Sequence, residues 1–147
     1  RDLDSVTASA SQNDIIEAID HYFVGIEICG SRFRNRSDAG PVGGLADSMS
    51  AFGYVADPTP RESGADIEAC DVHLALDGVP LHMGKARHSF GTVLASLVAY
   101  ARSQHPDYPL KAGTIVTTGS LCGLVPVSGP GHVVGRLGGH SVEFDLI

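Results

Sequence analysis

The chain has 147 residues, 43% of them hydrophobic and 18% charged, a composition that suits one domain folded around a single core and excludes a disordered or membrane-embedded polypeptide. Its formal net charge of -7, with no Lys/Arg run interleaved with aromatics, opposes phosphate backbones and anionic lipid, so neither nucleic acid nor a membrane is expected as a partner. Three cysteines, Cys29, Cys70 and Cys122, lie far apart without a CxxC pair; they signal neither a zinc knuckle nor a disulfide framework and fit a reducing, cytoplasmic compartment.

Ser11 and Asp14 stand in a Ser-x-x-Asp relation ahead of Ile15, Ile16, Ala18, Ile19 and Tyr22, which predicts an N-cap and an amphipathic helix ending near His21. Val24, Ile26 and Ile28 then alternate with Gly25, Glu27 and Cys29, a period of two that makes a strand and puts Glu27 on the face opposite the aliphatic residues. From Ser31 to Gly44 the sequence is polar and rich in Arg, Gly and Asp and reads as a loop; Leu45 to Phe52 reads as a short helix or turn before Tyr54 and Val55 resume extended structure. Pro58 and Pro60 mark an exposed connection from Ala56 to Gly64.

Ile67 to Leu76 alternates as a strand, and Asp77-Gly78 is a two-residue hairpin signal leading into Val79 to Met83. Phe90, Leu94, Leu97, Val98 and Ala101 recur at helical spacing, so a helix is expected over Phe90 to Ser103, capped by Ser89 and ended by Pro106 and Pro109. The β-branched run Thr114 to Thr118 reads as a buried strand ending in the Gly119-Ser120 turn. His132 to Leu137 and Ser141 to Ile147 form two more, joined by Gly138-Gly139. Many strands and two principal helices make an α+β class with a mixed, mostly antiparallel sheet curled on itself.

A carboxylate in mid-strand needs a counter-charge, so Glu27 is either a metal ligand or the partner of a nearby arginine such as Arg32. Asp47, Ser48 and Ser50 can orient a substrate or a water, or cap a helix. Thr117 to Ser120 offers hydroxyls and backbone N–H groups to a carboxylate or oxyanion, or is a simple strand exit. The seven histidines show no HxxxH pair, and the glycines from 129 to 139 form no GxGxxG opening a helix, so no dinucleotide site is signalled.

Taken in order, these segments resemble the 2-keto-4-pentenoate hydratases and 4-oxalocrotonate decarboxylases of the fumarylacetoacetase-like superfamily. Gly25-Ile26-Glu27-Ile28-Cys29-Gly30-Ser31-Arg32 is similar to their "(A/G)-(L/I)-E-I-V-(D/G)-S-R" strand, Ala46-Asp47-Ser48-Met49-Ser50-Ala51 to "A-D-N-A-S-S", Lys111 to Ser120 to "aGd-ivltGs", and Gly139 to Phe144 to "lGsVsvrF". Ser48 replaces the usual Asn, and Thr114 the usual Asp.

The resemblance implies a fumarylacetoacetase-like β-roll in which Mg2+ or Mn2+ is held by Glu27 together with a Glu-x-Glu pair. That pair would precede the position of Arg1, so residues 1-147 are expected to be the C-terminal portion of a catalytic domain, completed by an upstream segment or a separate N-terminal chain. By the same resemblance Asp47 and Ser50 orient substrate or a catalytic water, Thr118, Gly119 and Ser120 contact the substrate carboxylate, and the protein is a homo-oligomer. The implied activity is that of a lyase on a small 2-keto acid through a metal-stabilised dienolate, which serves hydration and decarboxylation alike. Two alternatives are an acylpyruvate C–C hydrolase and a scaffold that has lost its metal site.

Overall fold

The computed structural model describes residues 11–60, 67–105 and 107–147. Part of the Ala56 to Gly64 connection and the Pro106 helix stop lie outside them, as does everything before Ser11.

Helix α1 is Gln12–Ala18. Ser11 accepts from the Asp14 N–H while Asp14 accepts from the Ser11 N–H, the reciprocal cap that the sequence suggests. The helix stops three residues short of His21, because Ile19 is already extended. Helix α3, Val93–Ser103, is capped by the Thr92 hydroxyl on the Ala95 N–H rather than by Ser89. These two helices meet in a small core of Ile15, Ala101 and Leu110, with Ala18, Leu97 and Val98 packed around it.

Every strand pair is antiparallel. Strand β1 (Gly25–Cys29) pairs with β2 (Ala51–Ala56) in a two-stranded sheet. The other sheet has the order β4-β3-β5-β6, from β3 (Asp71–Leu76), β4 (Val79–Lys85), β5 (Gly131–Leu137) and β6 (His140–Leu146). The β3-β4 turn falls at Asp77-Gly78, both with positive φ (49° and 78°), as a tight hairpin demands.

The four-stranded sheet buries Val72, Val133 and Val142 on one face and leaves His132, Arg136, Glu143 and Asp145 on the other. Ile26 of β1 packs onto the buried face: a Cβ at Gly135 would lie 2.5 Å from its Cδ1. Gly135 therefore gives the β1-β2 pair its seat, and the aliphatic side of β1 faces inward while Glu27 faces out.

Three further expectations differ from the structure. The stretch read as a loop from Ser31 to Gly44 contains a 3-10 turn (Arg36–Ala39) and a third helix, α2 (Gly40–Ala46); Pro41 falls in its first turn, where a missing N–H costs nothing, and the glycines that argued for a loop allow close packing instead. A Cβ at Gly44 would collide with the Arg36 guanidinium. Ile67 opens a 3-10 turn (Ile67–Ala69), so the strand starts at Asp71. Thr114 to Thr118 joins no sheet: the chain runs from Thr114 to Ser120 without helix, turn, bend or ladder. Among the described residues no helix is long and apolar enough to cross a membrane.

Candidate active site

Glu27 sits in the middle of β1, opposite Tyr54 of β2. Its side chain is exposed, on the face it shares with Cys29 and Tyr54. Tyr54 does not cover it. The phenol lies instead over Gly25, where an added Cβ would come within 2.5 Å of the hydroxyl oxygen, so Gly25 takes the ring and the carboxylate stays open.

The charge is felt nearby. Burial first, and then the Glu27 carboxylate, raise both the Cys29 thiol and the Tyr54 phenol above their ordinary values. Glu27 itself forms no hydrogen bond or ion pair with another described residue. Of the two readings of this carboxylate, pairing with Arg32 is therefore not what the structure contains.

Arg32 belongs to Asp47. The Asp47 carboxylate is 1% exposed and accepts from the Ser31 hydroxyl at 2.7 Å, the Arg32 N–H at 3.1 Å and the Arg32 guanidinium at 3.2 Å. The same guanidinium donates to the Asp47 and Ala51 carbonyls. The Ser31 hydroxyl above all, then the Arg32 N–H and guanidinium, hold the Asp47 carboxyl below the usual range against the upward pull of burial. One buried carboxylate thus ties the end of β1 to the start of β2.

Between Asp47 and β2 the backbone takes three consecutive left-handed steps, at Ser48, Met49 and Ser50 (φ 51°, 54° and 72°). That conformation is unfavourable for non-glycine residues, and the surrounding bonds hold it: the Ser50 N–H donates to the Asp47 carbonyl and the Ser50 carbonyl accepts from Gly30. The Ser50 hydroxyl accepts from Arg36 Nε at 3.2 Å, which leaves its own proton to donate.

Thr118, Gly119 and Ser120 are organised apart from this group. The Thr118 carbonyl accepts from the His88 ring and, at 3.1 Å, from the Ser96 hydroxyl of α3. His88 Nδ1 accepts from the Phe90 N–H at 3.1 Å, so Nε2 carries the proton it gives to Thr118. Gly119 has φ of 102°, and a Cβ there would lie 3.2 Å from His88 Nε2. Ser120 closes its own turn, donating to the Gly123 carbonyl and accepting from the Cys122 N–H. No hydrogen bond links Glu27, Asp47 or Ser50 to Thr118, Gly119 or Ser120.

A cleft of about 340 Å³ runs between α3 and the Thr114–Thr118 segment, lined by Ser96, Leu97, Tyr100 and Leu110; Glu27 does not border it. Among the described residues there is no group of three His, Cys, Asp or Glu side chains placed to hold a metal. Glu27 fits a hard cation as one exposed oxygen donor, with further ligands required from outside these residues. Two contacts escaped the sequence reading. Arg32 lies 15 residues from Asp47 and His88 lies 30 from Thr118, separations at which no local pattern signals a contact.

No protein-family model matches the sequence. The chain is 30% identical to the 2-keto-4-pentenoate hydratase of Paraburkholderia xenovorans (strain LB400) over 151 residues, which covers 99% of this chain and 55% of that protein. It is also 30% identical to the TodF product hydratase of Pseudomonas putida F1 over 132 residues, 88% of this chain and 48% of that one. In structure it is similar to the 4-oxalocrotonate decarboxylase of Pseudomonas putida G7, solved with magnesium and adipate, with a TM-score of 0.74 at 24% identity over 90% of this chain and 51% of the other. The chain spans about half the length of the relatives it matches. Across nearly its whole length, then, the chain is similar to part of the 2-keto-4-pentenoate hydratases and has the fold of the corresponding part of 4-oxalocrotonate decarboxylase.

Proposed function

We propose that the chain forms part of a divalent-metal-dependent lyase acting on a small 2-keto acid, as a hydratase or a decarboxylase. The observation that carries this reading is the similarity, 30% identity across 99% of the chain, to a 2-keto-4-pentenoate hydratase; the exposed mid-strand carboxylate of Glu27 is open to a cation but, being solvated, does not by itself demand one. Burial first, and then this carboxylate, raise the pKa of Cys29 and Tyr54; a hard cation on Glu27 would offset the second of these causes. Magnesium or manganese suits one carboxylate here plus acidic groups from a polypeptide equivalent to the rest of the relatives' length, either an upstream segment or an N-terminal chain. When bound, such an ion supplies a Lewis acid toward the carboxylate and 2-oxo oxygens of the substrate.

The chain's own residues then divide the remaining work. Ser50, whose hydroxyl proton is uncommitted, orients substrate or the water that is added. Asp47, expected to do the same, is too buried and too fully engaged for contact; its role is to position Ser50 through its backbone carbonyl and the end of β1 through Ser31 and Arg32. Gly119 and its neighbours receive the substrate carboxylate through backbone N–H groups, because the Ser120 hydroxyl is engaged within its own turn.

Cys29 reports on the metal without any assay of turnover. With Cys70 and Cys122 replaced by serine, magnesium should lower the Cys29 pKa and speed its alkylation at fixed pH, because the cation offsets the Glu27 charge. Glu27→Gln should speed alkylation by itself and remove the magnesium response. A Cys29 rate indifferent to millimolar magnesium, both alone and with the complementing polypeptide present, defeats the metal reading. Product analysis of the assembled enzyme on 2-hydroxypentadienoate and 4-oxalocrotonate separates hydration from decarboxylation.

A further inference from the structure

Two adjacent residues, Arg87 and His88, hold the chain on both sides of Gly119 and Ser120. The Arg87 N–H donates to the Leu121 carbonyl at 2.8 Å, and the His88 ring donates from Nε2 to the Thr118 carbonyl. His88 is 8% exposed, and its two partners fix its tautomer. With Nδ1 accepting from the Phe90 N–H at 3.1 Å, only the Nε2–H form satisfies both contacts. The turn that carries the ring is itself closed, the Gly91 N–H donating to the His88 carbonyl at 3.1 Å, immediately before the Thr92 cap of α3.

The Thr118 carbonyl receives a second donor, the Ser96 hydroxyl of α3, at 3.1 Å. These two bonds orient a whole peptide plane. In a trans peptide the C=O of one residue and the N–H of the next point in opposite directions, so drawing the Thr118 carbonyl toward His88 and Ser96 aims the Gly119 N–H away from both. A carbonyl that accepts two hydrogen bonds is also more polarised, which makes the N–H of the same amide a stronger donor. Gly119 completes the fit. Its φ of 102° is one that side chains rarely adopt, and a Cβ there would lie 3.2 Å from His88 Nε2, pressing on the ring that does the aiming. Although the chain carries a net charge of -7, no Asp, Glu, Lys or Arg occurs from Ala112 to Gly135, so an anion reaching Gly119 meets no like charge from that stretch and is received by backbone dipoles.

We propose that His88 is the positioning residue of the substrate-carboxylate site: by holding the Thr118 carbonyl together with Ser96, it aims and strengthens the Gly119 N–H that donates to the carboxylate of the 2-keto acid. The inference rests on the reading of Thr118 to Ser120 as that site, and it gives His88 no contact with substrate.

Nuclear magnetic resonance on the full chain, titrated with pyruvate as the smallest 2-keto acid, tests this through the Gly119 amide and the His88 ring nitrogens. The ring should show the Nε2–H tautomer, and the wild-type Gly119 amide should shift saturably with pyruvate. His88→Leu removes the donor and should weaken pyruvate about tenfold. His88→Gln, which can present an N–H to the same carbonyl, should restore most of that loss, and Ser96→Ala should weaken binding about threefold. Should His88→Leu fail to fold, as judged by exchange protection in β3 and β5, the tautomer and Ser96→Ala decide. An Nδ1–H tautomer, a leucine variant that binds pyruvate as the wild type does, or a glutamine variant no better than leucine overturns the role of His88 and leaves the carboxylate site standing. A wild-type Gly119 amide that ignores pyruvate, both alone and with magnesium and the complementing polypeptide present, defeats the carboxylate reading and this inference with it.

Discussion

The two sheets are built on different physics. In the four-stranded sheet the register runs unbroken along β5 and β6, from Gly131 opposite Leu146 to Leu137 opposite His140, and alternation sends Val133 and Val142 inward while His132 and Glu143 point out. Each strand there is specified by its own pattern and its nearest turn. The β1-β2 pair, which like β3-β4 carries one register shift, is reached through three left-handed residues, and is closed by one buried aspartate with partners 15 and 16 residues away. A sheet held by repetition tolerates local damage, whereas one held by a single polar knot does not.

That difference is broken most severely at Asp47. Asp47→Ala leaves the Ser31 hydroxyl and the Arg32 N–H and guanidinium without their shared acceptor inside a packed turn. It should destabilise the protein more than Gly135→Ala or His132→Gln does, with protection lost from β1 and β2 before β3 to β6. Uniform loss of exchange protection across both sheets would mean that the knot is no more local than the ladders.

Gly135→Ala tests the seat between the sheets. Its Cβ would meet Ile26 Cδ1 at 2.5 Å and Leu74 Cδ1 at 3.6 Å, so overpacking should cost about 1–3 kcal/mol, read as a shift in the denaturation midpoint. Pairing it with Ile26→Val or Ile26→Ala should recover part of that loss, since the clash is with the far end of one side chain. An additive double mutant would show that the clash is relieved elsewhere.

The same contrast explains what the sequence discloses. The hairpin at Asp77-Gly78, the strands from His132 onward and the cap of Ser11 on Asp14 are all specified within a few residues, and all are found where their patterns place them. Helix α2 is not legible, because Gly40, Gly43 and Gly44 are poor helix formers, and Gly43 and Gly44 lie where Ala39 and Arg36 pack closely. Thr114 to Thr118 reads as a strand on propensity alone and has no neighbour among the described residues, and a strand exists only in a pair. At the site, the period of two locates Glu27 on an outward face, but no pattern shows that Arg32 serves Asp47 or that His88 holds Thr118.

The smallest effect is a pH dependence confined to the regular sheet. His132 on β5 receives Asp145 of β6 at 2.8 Å on Nδ1 and Glu143 at 3.8 Å on Nε2. The hydrogen bond to Asp145, then the charges of Asp145 and Glu143, raise the imidazole above its ordinary 6.5 against a smaller opposing effect of burial. A raised folded-state value means that the folded protein holds this proton more tightly than the unfolded chain. The stabilisation is therefore fully present below pH 6.5 and is lost as pH rises through the higher folded value. Because the ring is 48% exposed and its partners more so, solvent screens the contribution to the scale of a surface pair. His132→Gln should abolish a shallow fall in stability above neutrality while leaving the acid limb, to which the depressed Asp47 and Asp71 carboxyls contribute, unchanged. If instead wild type and variant fall in parallel above pH 6.5, the imidazolium is not what joins these two strands.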